Sequence, residues 1–331
     1  MLEVAVVGLG WWGRTIVSLL AGSDRLRVVR AVEPSPEAAA FATQHGIPCS
    51  AGFADALADP VVRGVVLCTP HSVHADQIVE AARAGRHVFC EKPLSLTRAD
   101  AQRALAACEA AGVVLGVGHE RRFEPGIAEL RRLIAAGEIG RPLQIEANFS
   151  QDKFLAMPAD NWRLSAAEAP GGPLTATGIH LVDLSVSVLG QPEKAFASVR
   201  QLGSHLANGD TLAALLTFRG GGHALISAIL ATPFDGRFAV YGSKGWFEVR
   251  DKAHPESPQG WMLTLCRRGE PPLRREIPPS PAVLANLEAF AAAAQGGAPY
   301  PMKREEMLAT VSALEAIARS AESGKAEAIE H

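Results

Sequence analysis

Apolar and polar positions change rhythm twice along this chain. In the first third, short apolar runs take turns with helical patterns. Residues 4–7 and 64–68 are unbroken apolar runs of strand length, and 26–32, 85–89 and 113–117 read as further strands. Unbroken runs of this length suit strands buried on both faces. Between them, residues 12–21 form a helix stopped at Gly22, and 36–45 form one with Pro36 at its start and Gly46 just past its end. That placement uses the fixed φ of proline and the freedom of glycine where each helps. Residues 75–84 form a helix closed by Gly85, and Thr97 caps the next helix with Asp100 in the capping-box position. Strands alternating with helices imply right-handed βαβ units and a parallel sheet.

After about residue 122 the period changes. A helix over 125–136 leads into 143–149, an alternating, half-exposed strand. From 195 to about 277 come short strands of period two, among them 212–218, 223–230, 238–241 and 246–249. The turn segments Gly220-Gly221-Gly222 and Gly242-Ser243-Lys244-Gly245 divide them, which indicates antiparallel pairing. Helices over 283–294 and 304–321 close the chain. The expected fold is α/β followed by α+β. A doubly wound Rossmann domain (1–121) precedes a domain with an open, mainly antiparallel sheet and helices (122–331).

Composition narrows the partners. A chain of 331 residues, 48% hydrophobic and 20% charged, can bury a large core. A net charge of -3 without Lys/Arg blocks argues against nucleic acid. No apolar run reaches membrane-spanning length. The five cysteines are odd in number and scattered, so no zinc site or disulfide frame is expected and free thiols in a reducing compartment are. A chain opening directly on a strand, without a signal-like stretch, adds to a cytoplasmic expectation.

Chemistry enters at Gly8-Leu9-Gly10-Trp11-Trp12-Gly13, a G-x-G-x-x-G between the first strand and first helix. In that context Gly8 permits the tight turn, Gly10 lets backbone approach a pyrophosphate, and Gly13 lets helix and strand pack closely. The helix amino terminus would face the phosphates. Trp12 is expected to pack into the domain, while Trp11 either walls the nicotinamide side or packs as well. Glu33 ends the second strand, 20 residues after Gly13, where an acid can bind ribose hydroxyls and repel a 2′-phosphate. NAD is therefore expected ahead of NADP. Glu91-Lys92-Pro93 follows another strand, which aims Lys92 into the ligand crevice of such a sheet.

These segments, together with Cys68-Thr69-Pro70, His74, Arg122-Phe123-Glu124-Pro125, Asn161-Trp162-Arg163 and Gly178-Ile179-His180-Leu181-Val182-Asp183, resemble the glucose-fructose oxidoreductase/inositol dehydrogenase (Gfo/Idh/MocA) family along nearly the whole chain. The resemblance implies NAD(P)-dependent oxidation of a secondary alcohol on a sugar, inositol, related polyol or sugar acid. It implies a homodimer or homotetramer built on the second domain's sheet. It also implies that Lys92 touches substrate and nicotinamide ribose and that His180 is the general acid/base. Thr69, Pro70, His74, Glu91 and Pro93 would line the cofactor, and Arg122, Trp162 and Arg163 would approach the substrate. The sequence departs from the family at Ala176, where an aspartate four residues before the histidine is usual. Thr177 and Asp183 are likewise expected at the substrate site: Asp183 could hold the ring instead or be structural only, and Thr177 could supply a hydroxyl.

An imidazole titrating near neutrality suits removal of the alcohol proton, and a protonated lysine suits stabilisation of the alkoxide. Arg122, Arg163 and Lys153 either draw a substrate carboxylate or phosphate or form ion pairs. Two alternatives use the same residues: a lyase or glycosidase that oxidises transiently with retained NAD, and a non-catalytic dinucleotide-binding regulator.

Overall fold

Strand β1 (Leu2–Val7) lies in the middle of a six-stranded sheet, and Val4, Ala5 and Val6 are wholly buried there. Its parallel neighbours are β2 (Leu26–Val32) and β4 (Gly64–Leu67). With β3 (Cys49–Ser50), β5 (His87–Cys90) and β6 (Leu115–Val117) the order is β3-β2-β1-β4-β5-β6, all parallel. This is the doubly wound order, whose direction reverses between β1 and β4. The crossovers carry α1 (Trp11–Leu20), α2 (Pro36–Gln44), α3 (Phe53–Ala58), α4 (His74–Arg83) and α5 (Arg98–Ala111). Thr97 caps α5 as expected, accepting the Asp100 N–H at 3.2 Å. The Asp100 carboxylate answers by accepting the Thr97 hydroxyl at 2.8 Å.

The computed structural model describes residues 1–331 in two units: Met1–His119 with Val283–Met307, and Glu120–Ala282 with Leu308–His331. The late return to the first unit is made mainly by α8 (Ala282–Ala294). Its Leu287, Phe290 and Ala291 are buried among Val4, Val6, Val66 and Phe89. The Phe89 and Phe290 rings meet edge-on at 5.7 Å.

In the second unit, a nine-stranded sheet runs β14-β13-β12-β11-β7-β10-β9-β8-β15. The strands are β7 (Pro142–Ser150), β8 (Pro192–Arg200), β9 (Thr211–Phe218), β10 (His223–Ile229), β11 (Asp235–Gly242), β12 (Gly245–Asp251), β13 (Trp261–Arg267), β14 (Leu273–Ile277) and β15 (Glu327–Ala328). Only β7 and β10 pair in parallel, so the expected mainly antiparallel sheet is observed. Period-two burial turns Leu212, Leu216, Ala224 and Ile226 to one face. There they join residues of α6 (Pro125–Ala135), α7 (Ile179–Leu189) and α9 (Arg304–Ser323) in one core. The opposite face leaves Phe196 49% and Leu225 42% exposed. No helix is long and apolar enough to cross a membrane.

Candidate functional site

Val32, Val7, Leu67, Cys90 and Val117 stand side by side across the first sheet. The chain leaves the strands after this row, so Glu33, Gly8, Cys68, Glu91 and Gly118 emerge at one edge. Ligands of doubly wound sheets bind at that carboxyl edge.

The glycine loop is built as its spacing requires. Gly8 has φ +89°, and a Cβ there would lie 2.9 Å from the Cys68 carbonyl oxygen and 3.4 Å from Thr69 Cγ2. At Gly13 a Cβ would fall 1.9 Å from the Gly8 oxygen, so only glycine lets α1 start this close to the loop. Gly10 differs: its Cβ would enter open space. Gly10 is also the N-cap of α1, no side chain caps the helix, and no acid occupies its first turn. An uncapped, positively polarised helix mouth beside open space fits a pyrophosphate. Trp11 is 48% exposed beside this mouth, whereas Trp12 packs against the domain core. Glu33 is tied to the loop, accepting the Leu9 N–H at 2.7 Å and the Ser35 N–H at 2.9 Å. The residues present therefore fit a dinucleotide.

His74, fully buried at the start of α4, bridges two of the emerging loops. Its Nε2 lies 3.0 Å from the Thr69 oxygen and its Nδ1 2.8 Å from the Pro93 oxygen. Thr69 donates its hydroxyl to Gln77 at 2.6 Å. The buried Glu91 carboxylate accepts the Lys92 backbone N–H at 3.3 Å. Lys92 itself is half-buried, two residues past the end of β5.

In the second unit, a π-turn (Leu174–Gly178) runs directly into α7, placing His180 in the first turn of that helix. Such widened turns recur at functional sites. His180 is 5% exposed; its Nδ1 lies 3.6 Å from Glu120 Oε2 and its ring centroid 5.9 Å from that of Phe149. Arg122 and Asp183, both expected near substrate, are buried and joined to each other: Nε and Nη2 of Arg122 each donate to the Asp183 carboxylate at 2.7 Å. Thr177 is buried and donates its hydroxyl to the Pro173 carbonyl at 3.4 Å. Ala176 packs with the apolar cluster of Phe154, Leu164, Leu206 and Leu230. Of the expected cations, Lys153 pairs with Glu256, and Arg163 lies over the Trp162 ring at 4.2 Å.

Three features went unread in the sequence. Arg121 is wholly buried between Glu124 (3.0 Å) and Asp251 (2.7 Å), with its guanidinium over Phe149 at 5.2 Å. His254, in the loop after β12, packs on Phe149 at 5.8 Å, and burial, helped by Lys153 and Arg121, pushes its imidazole down to about 4. Its Nδ1 accepts the Glu256 N–H, so the proton of the neutral ring sits on Nε2. The third is Glu120. The run His119-Glu120-Arg121-Arg122 after the β6 strand was the available signal, since four ionisable residues at a strand tip need partners.

Comparison with known proteins agrees with this architecture. Residues 2–119 match the oxidoreductase family with an NAD-binding Rossmann fold, and 127–248 match the GFO/IDH/MocA C-terminal domain. The chain is similar to the 1,5-anhydro-D-fructose reductase of Ensifer adhaerens, with 32% identity over 88% of this chain and 87% of that one. Among solved structures it is similar to aldose-aldose oxidoreductase from Caulobacter crescentus complexed with glycerol (TM-score 0.87, 28% identity, 99% of each chain). It is also similar to GenD2 from gentamicin A biosynthesis in complex with NAD (TM-score 0.84, 27% identity, 100% of this chain and 97% of that one). The chain belongs to the Gfo/Idh/MocA family of oxidoreductases. It is an NAD(P)-dependent dehydrogenase.

Proposed function

We propose that the protein transfers hydride between NAD and a secondary alcohol of a sugar, inositol or related polyol or sugar acid, with Lys92 and His180 as its catalytic residues. The observation that carries this reading is the single row of strand tips from which Glu33, the glycine loop and the Glu91-Lys92-Pro93 segment all emerge. NAD, when bound, is the two-electron acceptor. Gly8, Gly10 and Gly13 admit its pyrophosphate to the mouth of α1, and Glu33 takes the ribose hydroxyls and disfavours a 2′-phosphate. Thr69, Pro70, Glu91 and Pro93 line the cofactor, with His74 holding two of those loops in register. Trp11 walls the nicotinamide side. His180 accepts the hydroxyl proton, and the Lys92 ammonium stabilises the alkoxide oxygen as it forms. Trp162 and Arg163 approach the substrate, while the Arg122–Asp183 pair supports the histidine helix from behind. The sugar derivatives handled by the similar reductase and oxidoreductase support the substrate class.

The test is cofactor reduction by the purified protein across inositols, aldoses and aldonic acids, with NAD and NADP in parallel. Turnover with NAD on at least one of these is expected; absence of turnover on all of them, with NADH still bound, overturns the reading. We further propose a cytoplasmic homo-oligomer joined through the open sheet face, where Phe196 and Leu225 are exposed. Phe196→Glu with Leu225→Glu would then lower the mass measured by light scattering.

A further inference from the structure

We infer that Glu120 is the positioning residue for His180, supplying from the β6–α6 connection the carboxylate partner that the helix turn at Ala176 lacks. This rests on the reading of His180 as the proton acceptor. Three observations carry it. The Glu120 and His180 side chains are 13% and 6% exposed, with Oε2 and Nδ1 3.6 Å apart. Such contacts lengthen in ligand-free sites and tighten around substrate. Second, the two residues are held by a common clamp. Glu120 opens a 3₁₀ turn (Glu120–Phe123), and two residues on Arg122 grips Asp183, which lies one helical turn beyond His180. The clamp ties the turn that carries Glu120 to the helix that carries His180, so the two backbones are held together. Third, the residue one helical turn before His180 is Ala176, which packs against an apolar cluster and carries no carboxylate of its own.

The arrangement fixes which nitrogen works. With Nδ1 toward Glu120, the neutral ring carries its proton there and presents Nε2 to the alcohol. After transfer, the imidazolium faces a carboxylate, as in other acid-oriented histidines. Charged groups lie on each of the elements packed around the pair. Arg121 and Arg122 come from the same turn, Glu124 from the start of α6, Asp183 from α7, Lys153 from the segment after β7, Arg163 from the next turn, and Asp251, His254 and Glu256 from the end of β12 and its loop. The field of Glu120 reaches both Arg121 and Lys153.

The test uses the full-length protein without substrate. Selective ¹³C labelling of its ten histidines, with His180→Gln assigning the resonance, gives the titration midpoint of His180 by NMR. Glu120→Gln, which keeps shape but not charge, is expected to lower that midpoint by about one unit. Glu120→Asp should hold it within about half of that shift. In turnover, the acid limb of kcat/KM for alcohol oxidation should move down by the same amount in Glu120→Gln, with kcat reduced roughly tenfold or more. An unmoved midpoint in a folded Glu120→Gln protein overturns the inference, as does lost rate with an unmoved acid limb. If instead His180→Gln keeps wild-type turnover, the histidine reading itself has failed, whatever Glu120 does.

Discussion

Gly10→Ala separates what the glycine loop does for the fold from what it does for the cofactor. The Cβ built at Gly10 meets no atom within 4 Å, and its φ of −61° is open to alanine. Folding stability should therefore stay within about 0.5 kcal/mol of wild type, with a small gain expected from the stiffer unfolded chain. The added methyl occupies the space through which a pyrophosphate must approach the helix mouth. Losing one hydrogen bond between the helix mouth and the charged phosphate, worth about 1.5–3 kcal/mol, is expected to cost roughly 10- to 150-fold in affinity. Gly13→Ala is the matched control. Its Cβ would lie 1.9 Å from the Gly8 oxygen, against contact distances of about 3.5 Å, so α1 must retreat by more than about 1 Å. That variant should lose stability and NADH binding together. Thermal melts with NADH titration by fluorescence quenching read both quantities. A Gly10→Ala protein that binds NADH as wild type does would refute the placement of the phosphates.

Glu33→Ala should weaken NAD binding roughly tenfold and narrow the preference over NADP, read as the ratio of the two dissociation constants; an unchanged ratio contradicts the ribose assignment. Asp183→Asn puts a neutral amide in place of the carboxylate against the buried Arg122 charge and is expected to cost about 3–5 kcal/mol by urea unfolding. His254 gives a pH signature, because its folded value of about 4 lies below the ordinary 6.5. Above 6.5 both states hold the ring neutral. As pH falls the unfolded chain takes the proton first, and stability is lost down to about 4. The loss is at most about 3 kcal/mol and roughly 2 after solvent screening. Replacing it in His254→Gln should flatten that limb of stability against pH.

Much of the first unit was legible because its strands are buried on both faces. The runs at β1 and β4 are of strand length and rich in valine, which favours strands, and the loop between β1 and α1 carries its chemistry in consecutive residues. The short β3 and α3 were not legible, since two and six residues are too few to show a period. Nor could the pattern say which sheet α8 would cover. Its sequence is apolar nearly all round, and it packs on strands that lie roughly two hundred or more residues earlier in the chain. The parallel pairing of β7 with β10 was hidden for a similar reason: alternation reports which face is buried, not strand direction. At the candidate site, motif positions were readable but partners were not. Glu120 and His180 are brought together by a clamp between residues 61 apart, Arg122 and Asp183, and both members of that clamp had been read as substrate contacts.

The central claim is that Lys92 and His180 carry the chemistry. Turnover by Lys92→Ala and His180→Ala, measured beside NADH binding on the best substrate of the panel, tests it most directly. Each variant should bind NADH and lose at least about 100-fold in kcat. Wild-type turnover by either one would contradict the account.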